Sequence, residues 1–90
     1  MTMFQQEVQI TNIRGLHARA SAKFVTLASS QSANVEVEKD GSRVAGTSIM
    51  GLMMLGAAKG DSVIICASGD GAEKALAALV ELVEGKFGED

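Results

Sequence analysis

His17 is the only histidine of the chain, and it stands in the run Gly15-Leu16-His17-Ala18-Arg19. A glycine-containing turn ends there and a helical pattern begins, so the side chain lies beside the N–H groups of a first helical turn. Those groups have no partners within the helix and carry about half a positive charge between them. Helix N-termini bind phosphate for that reason. Imidazole is also one of the few side chains that can act as a nucleophile near neutral pH and accept a covalent group. A phosphoryl group on His17 would be held by the backbone amides of Ala18 and Arg19, and the Arg19 guanidinium could add planar, charge-assisted hydrogen bonds. The same residues also read as a surface histidine that happens to cap a helix, where the dipole disfavours the imidazolium form. No second acid or base accompanies His17 nearby. A hydrolytic or general acid–base enzyme therefore lacks its usual partners, whereas a group carrier needs none.

The elements that must position this histidine follow from hydrophobic periodicity. Met3 to Thr11 alternates loosely through Phe4, Val8 and Ile10 and reads as a strand, followed by a turn over Asn12 to Gly15. From Ala18 to Ser29, Ala20, Phe24, Leu27 and Ala28 recur at helical spacing, with Arg19 and Lys23 four apart on the other side. Asn34 to Lys39 and Ser42 to Thr47 flank Asp40-Gly41, the two-residue hairpin signal. Ser48 to Leu55 is a short apolar helix closed by Gly56. Ser62 to Ser68 is a central strand expected to be covered on both faces or nearly so. Asp70 with Glu73 resembles a capping box, opening a helix whose buried face is Ala72, Ala75, Leu76, Leu79, Val80 and Val83 and which Gly85 ends. The order β-α-β-β-α-β-α predicts an α+β, open-faced β-sandwich, with a four-stranded, mostly antiparallel sheet and three helices on one face. Residues 1–90 are expected to form a single domain, since 90 residues support one compact core.

Composition narrows the chemistry. A single cysteine, Cys66, permits no internal disulfide, which makes a reducing cytoplasm the simpler expectation. One cysteine and one histidine exclude a multi-cysteine zinc site. The longest apolar stretch, Ile49 to Ala58, is interrupted by glycines and is short of the roughly 20 residues of a membrane span. The net charge is −3, with no Trp or Tyr and three Phe, which speaks against nucleic acid as a partner. The charge is unevenly spread. Between Glu7 and Glu36 the only charged residues are Arg14, Arg19 and Lys23, a local cationic stretch on an acidic chain. It suits a small anion or an acidic partner surface, although chance clustering in a short chain gives the same pattern.

Two motifs at matching spacing carry a resemblance that covers nearly the whole chain. Gly15-Leu16-His17-Ala18-Arg19 before a helix, and Thr47-Ser48-Ile49-Met50-Gly51-Leu52-Met53 followed by Leu55-Gly56 and Lys59-Gly60, resemble the HPr family. These are the histidine-containing phosphocarriers of the bacterial phosphoenolpyruvate-dependent phosphotransferase system, and they include a nitrogen-related branch, NPr. The resemblance implies that His17 accepts a phosphoryl group at Nδ1 from the phosphohistidine of enzyme I and passes it to a histidine of an enzyme IIA domain. It implies a phosphate-contacting role for Arg19, no cofactor and no metal at His17. One departure is plain: the family usually has Pro directly after that arginine, where this chain has Ala20. Pro there pre-sets φ, so Ala20 is expected to loosen the helix start slightly while supplying one more donor.

In-line transfer between two imidazoles requires His17 to be exposed at a protein–protein interface. Ile49, Met50, Leu52, Met53, Met54 and Leu55 make a helix too apolar to bury completely in so small a domain, and exposed methionines are adaptable docking surfaces. Leu52, Leu55 and Met54 are expected inside. By resemblance Ile49, Met50 and Met53 dock enzyme I and enzyme IIA, with Lys23 adding positive charge. Ser48 is a favoured N-cap. The resemblance adds regulatory phosphorylation of Ser48 by an HPr kinase/phosphorylase, which would put roughly two negative charges into the docking surface. The chain is expected to act as a cytoplasmic monomer with no membrane or nucleic-acid partner. The Ala75-Leu76-Ala77-Ala78-Leu79 run and the Phe87-Gly88-Glu89-Asp90 tail resemble the nitrogen-type branch, and Ser48-Ile49-Met50-Gly51 the sugar-transport one. A regulatory binding protein working through the Ser48 surface would need no histidine, and a small enzyme with His17 as general base would need partner residues and a pocket.

Overall fold

The computed structural model describes residues 3–89; Asp90 of the tail motif lies outside them. The elements are β1 (Met3–Gln9), α1 (Ala18–Ser29), β2 (Asn34–Lys39), β3 (Ser42–Ala45), α2 (Ile49–Met54), β4 (Ser62–Ser68) and α3 (Ala72–Glu84), followed by a short turn at Lys86–Gly88. The strands form one sheet in the order β1-β4-β2-β3, with every pairing antiparallel. In this α+β arrangement the helices cover one face of the sheet and leave the other open.

Alternation along β4 decides which face is which. Val63, Ile65 and Ala67 point into the core with Val8, Val35 and Val37, beneath Phe24 of α1 and Leu76, Leu79 and Val83 of α3. Ser62, Ile64, Cys66 and Ser68 point the other way, where β4 was expected to be covered. Among the described residues nothing forms a second layer on that face. Gln5, Glu7, Glu36, Glu38 and Arg43 lie over it, and Arg43 bonds Glu38 at 2.8 Å and Glu36 at 3.3 Å. Cys66 is nonetheless buried, its Sγ 3.7 Å from Gln5 Oε1, because the long polar side chains lie across the strand. Burial pushes its thiol pKa up, and this outweighs the opposing pull of the Arg43 guanidinium.

Other boundaries depart from the sequence pattern for local reasons. β1 ends at Gln9, because Ile10 leaves the ladder to pair with the loop before β4, through Ile10 N–H to Asp61 O at 2.7 Å and Gly60 N–H to Ile10 O at 2.8 Å. β3 stops at Ala45, where Ser48 N–H turns back to Ala45 O. The hairpin residues Asp40 and Gly41 both take positive φ, 51° and 83°, as a two-residue turn of this hand requires. The expected capping box is not formed. Helix α3 starts one residue late, behind Gly71 in the left-handed region, and no side chain caps it. Asp70 therefore stands one position too early, and Glu73 contributes only its charge to the first turn.

The closing turn was not anticipated. Lys86, Phe87 and Gly88 all have positive φ, at 59°, 56° and 71°. Two successive non-glycine residues there cost on the order of 1–3 kcal/mol each. What offsets them is Phe87, which at 1% exposure is among the most fully buried side chains of the core. A buried aromatic of this size contributes about 1.5–3 kcal/mol, and Lys23 Nζ adds a 2.7 Å hydrogen bond to the Phe87 carbonyl.

Candidate functional site

Helix α1 begins behind His17, whose extended backbone (φ −76°, ψ −177°) makes it the N-cap residue. Its carbonyl accepts from Ser21 N–H at 2.9 Å, while its side chain makes no capping bond. The preceding loop is held by two close approaches. Gly15, at φ +64°, lies so near the loop before β4 that a Cβ would meet Ala57 O at 2.5 Å and Ala58 Cα at 2.9 Å. Leu16 N–H donates to the same Ala57 carbonyl at 2.9 Å. Buried Ser21 donates to Leu16 O at 3.2 Å, and Leu16 itself is buried. The imidazole is thus carried on a fixed backbone, and its side chain retains 22% exposure.

The ring is not alone. His17 Nε2 lies 2.8 Å from Glu89 Oε2, 72 residues away in sequence. This corrects the expectation that no acid accompanies the histidine. The other carboxylate oxygen, Oε1, accepts from Asn12 Nδ2 at 3.1 Å, and Asn12 Nδ2 also donates to Gly15 O at 2.8 Å. Both partners of that amide are acceptors, so its NH2 must face them. Asn12 is fully buried, and its Oδ1 has no hydrogen-bond partner among the described residues. Partial burial tends to raise the Glu89 pKa. The hydrogen bonds from His17 and Asn12, with the positive charges of His17 and Lys23, outweigh it and hold the carboxyl below its ordinary range.

Arg19 is exposed and forms no ion pair among the described residues, so its guanidinium is available to an incoming anion. With Ile13, Arg14 and Glu89 it lines a shallow depression beside the histidine. Arg14, counted in the sequence only for its charge, thereby joins the site. Lys23, expected at a partner surface, spends a donor on the Phe87 carbonyl and so ties α1 to the closing turn.

Helix α2 packs against α1 and β3. Ser48 is its N-cap, accepting from Gly51 N–H at 3.0 Å. Leu52 and Leu55 are buried as expected, whereas Ile49, Met50 and Met53 are exposed, Met50 at 67%. Met54, expected inside, is the most exposed of them at 79%: on so short a helix Leu52 and Leu55 fill the inward side and leave it no room. Exposed Ile13 adds a further apolar side chain next to the depression.

Residues missed from the sequence are Asn12, Phe87 and Glu89. The signal available was an aromatic between Gly85 and Gly88 in a chain with only three phenylalanines, which marks an anchored tail.

Comparison with known proteins points the same way. Residues 4–85 match the model of the PTS-HPr family, described as the PTS HPr component phosphorylation site. The phosphocarrier protein HPr of Neisseria meningitidis is 49% identical over 87 residues, covering 97% of this chain and 98% of the relative. The phosphocarrier protein NPr of Shewanella violacea is 36% identical over 89 residues, covering 99% and 98%. The crystal structure of HPr-C-His from Thermoanaerobacter tengcongensis superposes with a TM-score of 0.92 at 47% identity, covering 97% of this chain and 98% of that one.

Proposed function

Since this chain belongs to the PTS-HPr family and is a phosphocarrier of the phosphotransferase system, we propose that its phosphoryl group is carried on Nδ1 of His17. The donor is then the phosphohistidine of an enzyme I, charged from phosphoenolpyruvate, and the acceptor a histidine of an enzyme IIA domain. The observation that carries this reading is a partly exposed imidazole on a rigid helix N-cap, its side chain not consumed by capping. Phosphoryl transfer asks the protein for positioning and charge stabilisation rather than covalent assistance. The first-turn amides of Ala18 and Arg19, the helix dipole and the Arg19 guanidinium supply both for the transferred group.

Partners dock on the apolar surface of Ile49, Met50 and Met53, where flexible thioethers fit more than one shape. Lys23, Arg14 and Arg19 draw an acidic partner to it. Phosphorylation of Ser48 by an HPr kinase/phosphorylase places roughly two negative charges in that surface and replaces the hydroxyl that caps α2, so it slows relay from enzyme I. Among the described residues no helix is long and apolar enough to cross a membrane.

Incubation with phosphoenolpyruvate and purified enzyme I should add one acid-labile phosphoryl group, seen by mass spectrometry, in the wild type and none in His17→Ala. An adduct that survives His17→Ala sinks the assignment. The similarity to an NPr favours a second reading, a nitrogen-regulatory relay. Running the assay with sugar-type and nitrogen-type enzyme I side by side separates the two, because the cognate donor charges the carrier faster.

A further inference from the structure

We infer that Glu89 is a positioning residue for this transfer: its carboxylate holds the imidazole proton of His17 on Nε2 and thereby keeps the lone pair on Nδ1. The inference rests on His17 being the phosphoryl acceptor and adds the group that prepares it.

The geometry leaves little choice of tautomer. A carboxylate oxygen 2.8 Å from Nε2 accepts and cannot donate, so the neutral ring must carry its proton there. Nδ1 is then the unprotonated, nucleophilic nitrogen. The carboxylate is itself fixed. Asn12 holds Oε1 at 3.1 Å and is tied to the His17 loop through Gly15 O at 2.8 Å. Two residues back in the chain, buried Phe87 and the Lys23 hydrogen bond pin the backbone that delivers it. A group held from the loop, from the core and from α1 is preorganised and needs no rearrangement when a partner docks.

Glu89 also meets the charge that the reaction creates. The Nδ1 lone pair of His17 attacks phosphorus, and the P–N bond of the donor phosphohistidine breaks, its electron pair remaining on the donor nitrogen. His17 then bears phosphorus on Nδ1 and hydrogen on Nε2, so its ring carries a positive charge, which the adjacent carboxylate offsets. Discharge is the reverse: the acceptor nitrogen attacks phosphorus, the P–Nδ1 pair returns to Nδ1, and the ring leaves neutral with its proton still on Nε2. No proton needs to move in either direction. Arg14 and Arg19, which line the depression with Glu89, bring positive charge to the side on which the phosphoryl oxygens would lie. An aspartate plays a comparable part for the histidine of a Ser-His-Asp triad, holding tautomer and orientation and stabilising the imidazolium.

The test uses the full chain and the Glu89→Ala variant, with fold checked by thermal melting. Long-range 15N NMR of the unphosphorylated protein at about pH 8, above the ordinary imidazole range, should show Nε2 protonated and Nδ1 bare in the wild type, and a mixture of both tautomers in Glu89→Ala. Phosphorylation of the variant by phosphorylated enzyme I should be slower by roughly tenfold, the lower end for losing a charge-assisted hydrogen bond. An unaltered 15N pattern, or an unaltered rate, overturns the role of Glu89. If the wild type accepts no phosphoryl group, the reading of His17 itself falls, and the 15N pattern still decides separately whether Glu89 sets the tautomer.

Discussion

At the scale of single residues, the site depends on atoms that make no contact with a phosphoryl group. Gly15 has no room for a side chain against Ala57 and Ala58, and its φ of +64° is one that L residues rarely adopt. Gly15→Ala therefore either strains the turn or pushes it off the loop before β4, and the Leu16 bond to Ala57 O goes with it. A loss of about 1–3 kcal/mol is expected in urea unfolding, with slower acceptance of phosphate because His17 is carried two residues further on. A variant as stable and as active as the wild type would show that the close approach does not hold the loop. Legibility at this scale was uneven. The placement of His17, Ala18 and Arg19 at the start of α1 was legible, because the glycine turn and the helical pattern meet there. Glu89 did not, since nothing local ties residue 89 to residue 17: the pair exists only because two segments at opposite ends of the sequence pack together.

At the scale of elements, periodicity found what repeats. The spans of α1 and β2 and the inward face of α3 coincide with the pattern of apolar residues because each buries one continuous side, and β4 was legible as an apolar run. The closing turn escaped because it repeats nothing. Three successive left-handed residues have no propensity signature, and the turn is held in place by one aromatic anchor. The start of α3 escaped because a glycine in the left-handed region replaced the side-chain cap that the spacing of Asp70 and Glu73 suggested. Phe87→Ala tests the anchor. It should destabilise the protein by about 3–5 kcal/mol, enough to take a large share of the stability of a domain this small. In whatever fraction remains folded, the His17–Glu89 contact should loosen, so the imidazole 15N signals should move toward those of Glu89→Ala. Melting temperatures within a degree or two of the wild type would mean that the turn is not anchored by Phe87.

At the scale of the whole molecule, the bridge between the two ends of the chain makes stability depend on pH in a defined direction. Glu89 is held below the ordinary carboxyl range despite its partial burial, because His17, Asn12 and Lys23 favour the charged form. A group with a depressed folded-state pKa contributes stability above its unfolded value and loses it as pH falls through the folded one. The difference in melting temperature between wild type and Glu89→Gln should therefore be fully present above the ordinary carboxyl range, from about pH 5 upward, and shrink toward about pH 3. A difference that grows on acidification would contradict the pairing.

Strand β4 is the one strand that touches both β1 and β2, pairing Met3 with Ser68 and Asn34 with that same Ser68. A nascent chain that has emerged only as far as α2 holds β1, α1 and the β2–β3 hairpin, yet has nothing to lay between them. The sheet consequently cannot close until residues 62–68 are available, and it then closes on both sides of that single segment. Closure of the sheet beside the His17 loop thus depends on a strand made well after that loop, and the contact with Glu89 comes later still.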